Sequence, residues 1–183
     1  MKSLARILAA GALCASALFG QQAHASEETI TVRGGFVNDP ACAFATVGQT
    51  ADPTTFALDC RGLNSIYTGG FTGQTTSHLK FTIDVYGNIE GTFDEWFYGR
   101  YMGDGTLGEL HVRGTFSIDG ATSGFVAEAD IVDGTCGFVG STGTATFDGH
   151  SLFGGYTFRW TRPTPPVTPD PTCNPVDPDS LPV

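Results

Sequence analysis

The segment NIEGTFDEWFYGRYMGDG, residues 88–105, carries the densest group of side chains suited to chemistry. If it forms a strand, alternation turns one set of residues to its apolar face: Ile89, Gly91, Phe93, Glu95 and Phe97. Glu95 is then a lone carboxylate among inward-facing phenylalanines, and loss of hydration raises the pKa of such a group. A single bulge before residue 95 would instead turn this side chain to solvent.

A carboxyl group with a raised pKa can protonate a substrate or stabilise a developing cation. We therefore predict Glu95 as the catalytic residue of a small interior cavity. The predicted ligand-binding side chains are Phe81, Phe93, Phe97 and Phe116.

Other aromatic side chains offer a second kind of site. Trp96 and Tyr98 fall on the face opposite Glu95, and Tyr101 and Trp160 lie further along the chain. Such rings on secreted β-domains often stack against sugars or partner proteins. The alternative function is therefore a carbohydrate-binding module. In the competing interpretation, Trp160 closes the core and Trp96 packs under a loop or in an interface.

Metal-dependent chemistry has little support in the sequence. His78, His111 and His150 are scattered along the chain, and no cysteine has the close spacing of a zinc ligand pair. The Asp-Gly pairs at 104, 119, 133 and 148 lack the alternating acids of an EF-hand, and turn chemistry explains them. We expect no metal and no cofactor.

Alternation with a period of two recurs along the chain and predicts an all-β domain. It defines three further apolar faces: Leu79, Phe81, Ile83 and Val85; Leu110, Val112, Phe116 and Ile118; Phe125, Ala127, Ala129 and Ile131. Glycine-bearing turns separate these runs, and no window shows a helical stripe. Short connections favour pairing between neighbours, so we predict a closed antiparallel up-and-down β-barrel rather than a Greek-key sandwich.

Four glycines at every third position, Gly134, Gly137, Gly140 and Gly143, form a distinct motif. A phosphate-binding loop needs a lysine and a following helix, whereas an alternating strand follows here. Collagen needs many more triplets with prolines between them. The motif therefore indicates a corner of the barrel where the backbone needs positive φ or close approach.

The stretch IVDGTCGFVGSTGTATFDG, followed by GGYTFRW, resembles the glycine-phenylalanine corner and closing strand of the allene oxide cyclase barrel family, which plant dirigent proteins share. The matching residues are Gly134, Thr135, Phe138, Gly143, Phe147, Gly149, Tyr156 and Trp160. For a secreted, bacterial-type member, the resemblance implies an eight-stranded barrel, often oligomeric, that binds a small hydrophobic molecule without a cofactor. Enzymes of the family steer the conformation of the substrate with help from a buried carboxylate or tyrosine.

The N-terminus has the features of a secretory signal peptide. Lys2 and Arg6 flank the start of an apolar run, and Ala23-His24-Ala25 supplies small residues for cleavage before Ser26. We expect residues 1–25 to be this leader, residues 26–160 the barrel, and residues 161–183, with eight of the ten prolines, an irregular tail. The mature protein should be secreted or periplasmic.

Charge and hydropathy exclude several partners. Without Lys2 and Arg6 the chain keeps seven basic and nineteen acidic side chains, a formal charge of −12. Nucleic acid and anionic membrane surfaces would repel such a protein. No segment after the leader approaches the roughly 20 apolar residues of a membrane span.

Cys42, Cys60, Cys136 and Cys173 remain after the leader, which suggests two disulfides in an oxidising compartment. Four cysteines permit three pairings. We predict Cys42–Cys60 across a hairpin-like turn and Cys136–Cys173 as a bridge to the tail.

Together these features predict a secreted barrel that binds a small apolar molecule. If it is an enzyme, we expect a cofactor-independent cyclase or isomerase. The alternatives are a carbohydrate-binding module and a structural or adhesive domain, and the resemblance implies a homo-oligomer.

Overall fold

The computed structural model describes residues 26–39, 41–52 and 54–164, which form nine β-strands and one 3-10 turn. The elements are β1 (Ser26–Asn38), β2 (Phe44–Gln49), β3 (Thr55–Gly69), β4 (Phe71–Asp84), β5 (Ile89–Tyr101), β6 (Leu107–Ile118), β7 (Gly124–Gly134), the 3-10 turn (Cys136–Phe138), β8 (Thr142–His150) and β9 (Phe153–Thr164).

Eight strands close into an antiparallel barrel, which confirms the predicted fold class. The sheet runs in the order β1, β9, β8, β7, β6, β5, β4, β3, and β1 then pairs with β3. This closing pair joins residues 34–38 to residues 65–69. From β3 to β9 every strand pairs with its neighbour in sequence, so short turns suffice to connect them.

The remaining strand, β2, extends one side of the barrel. Residues 44–49 pair with residues 56–61 of β3, beyond the part of β3 that pairs with β1. Gly62, with a φ of 72°, lies at a register shift between Arg61 and Leu63. A bulge there lets β3 bend from one partner to the other. We call β2, residues 55–61 of β3 and residues 78–84 of β4 the flap.

A disulfide between Cys42 and Cys60 fixes the flap, with the two Cα atoms 5.6 Å apart. This pairing is the one predicted from the sequence. Cys173 lies outside the described residues, as do the predicted leader, 1–25, and most of the predicted tail. β9 continues to Thr164, so the barrel includes the first four residues of the segment assigned to the tail.

The inward faces predicted by alternation are buried or half-buried on β4, β5, β6 and β7. Val85 is the exception and is 62% exposed, because β4 ends at Asp84 and a turn follows. The end of the barrel where β9 finishes is filled by large side chains: Phe71, Phe97, Phe138, Phe158 and Trp160. We call it the packed end, and the opposite one the cavity end.

The glycine motif is a corner, as predicted. Gly140 and Gly143 have φ values of 75° and 135°, which L-residues with side chains rarely adopt. A Cβ on Gly143 would lie 1.9 Å from the carbonyl oxygen of Arg159 on β9. Glycine therefore lets β8 start in close contact with β9.

The described part of the chain contains no helix that is long and apolar enough to cross a membrane.

Candidate functional site

A cavity of about 50 Å³ lies inside the cavity end of the barrel. Side chains from seven strands line it: Phe36, Asn38, Leu63, Ser65, Tyr67, Ser77, Leu79, Phe93, Glu95, Phe116, Phe125 and Phe147. Hydroxyl and carboxyl groups are therefore combined with an apolar wall in which phenylalanine is the most frequent residue.

Glu95 faces this cavity and is only 7% exposed. Both neighbours of β5 pair with it along its length without a register shift, so the bulge that would have turned Glu95 outward does not occur. The alternation of apolar residues therefore placed this side chain correctly.

Two hydroxyl groups hold the carboxylate of Glu95. Tyr67 donates to Oε1 at 2.5 Å, and Ser77 donates to Oε2 at 2.9 Å. Ser77 stands directly opposite Glu95 on β4, whereas Tyr67 reaches it from β3. Among the described residues, the ion pairs of the protein do not include Glu95. The carboxylate is thus hydrogen-bonded without a compensating positive charge.

Burial raises the pKa of Glu95, and the hydrogen bonds from Tyr67 and Ser77 act against this rise. The Thr75 hydroxyl lies close enough to Glu95 to act weakly in the same direction, but it makes no hydrogen bond and its buried oxygen has no partner. Because burial outweighs the donors, the pKa of Glu95 stays above its usual value.

Tyr67 is held in place by a second tyrosine. Its ring stacks on Tyr156 with centroids 4.8 Å apart. The Tyr156 hydroxyl accepts the Phe71 N–H at 2.9 Å and donates to the Phe71 carbonyl oxygen at 2.7 Å. Burial, together with the charge of Glu95, raises the pKa of Tyr67 well above its usual value, so Tyr67 remains a donor at neutral pH.

Five phenylalanines form a closed ring around the cavity, which we call the phenylalanine collar. In order they are Phe36, Phe125, Phe116, Phe93 and Phe147, with successive centroids 5.7, 6.3, 6.4 and 6.0 Å apart and a closing distance of 6.1 Å. These separations lie in the favourable range for aromatic pairs. Tyr67 contacts two collar members, Phe36 and Phe147, at 6.4 and 6.3 Å.

The four phenylalanines predicted to bind ligand occupy different places. Phe93 and Phe116 belong to the collar and line the cavity. Phe97 packs against Phe71 at the packed end, with centroids 5.4 Å apart, and is not part of the lining. Phe81 also lies outside the lining, where its ring packs edge-on against Phe116 at 5.9 Å.

Sequence reasoning did not single out Tyr67 and Ser77. Their signal was nevertheless present, because Ser65 and Tyr67 alternate with outward residues on β3, and Ser77 precedes Leu79 on the inward face of β4. A hydroxyl group on an otherwise apolar face indicates a buried hydrogen-bond partner. What the sequence lacked was the neighbour across the barrel that each hydroxyl group meets.

An apolar strip on the flap continues from the cavity. Leu79 lines the cavity, and Phe81 lies two residues further along the same face of β4. Leu58 stands opposite Phe81, and Val47 stands opposite Leu58, so both share this face. Val47 is 70% exposed and Phe56, also on this face, is 50% exposed. This exposed strip can receive the apolar part of a ligand.

The two tryptophans lie in contrasting surroundings. Trp160 is fully buried at the packed end, where its Nε1 donates to the Ser141 hydroxyl at 2.8 Å. Trp96 lies on the outer face of β5, and one face of its ring is covered by His111 at a centroid distance of 4.7 Å. Trp160 therefore has no surface to offer to a sugar.

Within residues 26–39, 41–52 and 54–164, no group of three or more His, Cys, Asp or Glu side chains is arranged to hold a metal ion.

No protein-family model matches the sequence, and no curated protein matches it either. Among solved structures, the chain is similar to the crystal structure of a protein of unknown function from the DUF3224 family of Shewanella oneidensis MR-1. The two share 15% sequence identity with a TM-score of 0.55, over 73% of this chain and 96% of that chain. At this identity the similarity concerns the fold alone.

Proposed function

We propose that this protein binds a small, largely apolar molecule at the cavity end of the barrel and cyclises or isomerises it without a cofactor. The observation that carries the proposal is Glu95, a buried carboxyl group held by two hydroxyl donors beside a phenylalanine-lined cavity. A buried carboxyl group with a shifted pKa in a cavity is typical of functional sites.

The size of the cavity limits what enters it. One water needs roughly 10–15 Å³, whereas pockets that enclose a whole ligand measure roughly 300–1,000 Å³. A cavity of about 50 Å³ therefore holds only a small group. We expect the reacting end of the ligand to occupy the cavity and its apolar remainder to lie along Val47 and Phe56 of the flap.

Glu95 has the properties of a recycled proton carrier. As a neutral acid it gives its proton to the substrate, and as a carboxylate it stabilises the cation that results. It then takes a proton from an adjacent carbon, so the enzyme returns to its starting state and the product is an isomer of the substrate. Tyr67 and Ser77 orient the carboxylate through both steps.

The resemblance to the allene oxide cyclase barrel family supports this proposal. It implies an eight-stranded antiparallel barrel with a buried carboxylate or tyrosine in its cavity. In this chain the two occur together, as the hydrogen-bonded pair Glu95 and Tyr67. We propose that the likeness extends from the fold to the use of the cavity.

We further propose that the protein is exported and cleaved before Ser26. The disulfide between Cys42 and Cys60 is compatible with an oxidising compartment. The mass of the protein isolated from its producing organism tests this directly, since retention of residues 1–25 would contradict cleavage.

Native mass spectrometry of that material tests the binding proposal. We expect a bound small molecule that is lost on denaturation and whose identity names the substrate class. The Glu95→Gln variant should retain the molecule but lose its conversion, whereas Glu90→Gln, an exposed residue of the same strand, should behave as wild type. A native protein with no bound molecule, together with a fully active Glu95→Gln, would refute the proposal.

A further inference from the structure

The phenylalanine collar and the carboxylate beside it have a combined chemistry that neither has alone. The collar presents five aromatic rings to one small space, and aromatic faces attract cations. Glu95 supplies a full negative charge at the same space when it is ionised. An aromatic enclosure with one carboxylate is a favourable environment for an organic ammonium group.

We propose that the ligand of this cavity carries a small ammonium group, primary or N-methylated, which enters the phenylalanine collar and pairs with Glu95. This inference rests on the proposed function, because it specifies the chemical class of the molecule bound at that same site. With an ammonium ligand the two proton transfers occur in the reverse order: ionised Glu95 first takes a proton from a carbon of the ligand and then returns it to a neighbouring carbon, so the product is again an isomer.

The charges around the cavity favour this ligand over an anionic one. Glu95 lacks an ion-pair partner among the described residues, although both of its oxygens accept hydrogen bonds. An ammonium ligand would supply the missing positive charge. The formal charge of the whole chain, −10, also draws cations toward the protein and repels carboxylates.

The dimensions agree with a small head group on an apolar tail. A cavity of about 50 Å³ admits an ammonium or methylammonium group but no large ring system. The apolar strip that contains Leu79 and Phe81 leads from this space to the exposed Val47 and Phe56. An alkyl or isoprenoid chain attached to the nitrogen would lie there.

Binding should depend on pH with a defined sign. An ammonium group pairs with ionised Glu95, so its affinity should rise as the pH increases through the pKa of Glu95 while the amine stays protonated. Tyr67 from β3 is the other titratable group that contacts Glu95, with Tyr156 from β9 behind it. Strand β4 contributes Ser77 and Thr75, and β6 places Val112 opposite Glu95. Both tyrosines titrate far above neutrality, so the change belongs to Glu95.

Hexylammonium chloride is a suitable test ligand, with hexan-1-ol as its neutral counterpart of the same length. Each is titrated into the full chain by calorimetry at several pH values. We expect hexylammonium to bind about tenfold more tightly than hexan-1-ol, and increasingly so as the pH rises. Glu95→Gln should abolish this preference.

Two further variants distinguish the contribution of the collar to ammonium binding from that of the general negative charge of the surface. Phe93→Leu keeps an apolar side chain but removes one ring, so it should weaken the preference for hexylammonium while hexan-1-ol binds as before. Glu90→Gln removes an exposed carboxylate of the same strand and should leave both affinities unchanged.

Three results would overturn the inference. Equal binding of the two ligands, unaffected by Glu95→Gln, would leave apolar binding in place but exclude an ammonium ligand. If Glu90→Gln lost as much hexylammonium binding as Glu95→Gln, the binding would be due to surface charge and not to the cavity. Failure of both ligands to bind wild type would contradict the proposed function as well.

Discussion

At the scale of single residues, the site depends on the protonation equilibrium of one carboxyl group, that of Glu95. Burial raises the pKa of Glu95, while the hydroxyl groups of Tyr67 and Ser77 stabilise its ionised form. The folded chain therefore binds the Glu95 proton more tightly than the unfolded chain does. This difference links the ionisation of Glu95 to the stability of the barrel.

The first prediction concerns stability against pH. The contribution of a carboxyl group with a raised folded-state pKa is fully present below its unfolded-state pKa and is lost as the pH rises through the folded-state value. Relative to Glu95→Gln, wild type should therefore lose unfolding free energy as the pH rises from the ordinary glutamate value of 4.5 into the neutral and mildly basic range, because burial raises the pKa of Glu95 in the folded chain. Urea unfolding of both proteins across this range measures the difference in their unfolding free energies. A difference that does not change with pH would contradict the prediction.

The second prediction contrasts two hydroxyl groups on β4. Ser77→Ala leaves Oε2 of Glu95 without its donor, so at neutral pH the free energy of unfolding should fall by about 1 to 3 kcal/mol. Thr75→Val removes a buried hydroxyl group that has no partner, so it should be neutral or stabilising by up to about 1 kcal/mol. Equilibrium unfolding of both variants decides the matter. A similar loss in both would mean that the Thr75 hydroxyl is satisfied after all.

At the scale of elements, β2 and its disulfide distinguish the flap from the rest of the barrel. β2 pairs only with β3, and all six of its residues are exposed. The bulge at Gly62 directs this part of β3 away from β1. Because so little of β2 is buried, the Cys42–Cys60 bond should contribute much of what holds it in place.

The third prediction follows from that bond. Replacing Cys42 by Ser together with Cys60 by Ala opens a link that spans 18 residues, which should lower the free energy of unfolding by roughly 3 kcal/mol. Hydrogen exchange should increase at the amides of β2 and remain slow in β6 to β9. Unchanged protection of β2 would show that strand pairing alone holds the flap.

At the scale of the whole molecule, Arg162 connects segments far apart in the chain. From the end of β9 it pairs with Glu28 of β1 at 3.2 Å and with Asp104, after β5, at 2.5 Å. Its guanidinium also lies 4.9 Å from the ring centre of Trp160. These contacts close the packed end of the barrel.

The fourth prediction compares two arginines that differ in burial. Arg162 has a side chain only 10% exposed, so Arg162→Met should lower the free energy of unfolding by about 1 to 3 kcal/mol. Arg113 pairs with Asp94 at 2.6 Å, but its side chain is 61% exposed, and Arg113→Met should change stability by less than about 1 kcal/mol. Thermal and urea unfolding test the contrast. Equal effects would mean that burial does not set the strength of these pairs.

Much of the fold could be predicted from the chain because strand alternation is a local property. The inward faces of β5, β6 and β7 followed from apolar residues at every second position, and so did the inward position of Glu95. The glycine corner was also readable, since positive φ at Gly140 and Gly143 is a requirement of the local backbone.

The interior of the site depended on contacts between distant strands. Phe97 shares the inward face of β5 with Phe93 but lies further along the strand, at the packed end, and Phe81 of β4 lies outside the cavity lining. Tyr67 meets Glu95 across 28 residues of sequence, and Phe36 meets Phe147 across a still longer separation.

The sequence by itself thus determined the all-β class, the neighbour-to-neighbour strand order, the first disulfide and the face on which Glu95 lies. Those features follow from residue periodicity, connection length and turn chemistry, which act over short stretches of chain. Only the tertiary structure decided which hydroxyl groups bind the carboxylate and which five phenylalanines form the collar. Those contacts arise from closure of the sheet, which brings strands together irrespective of their distance in sequence.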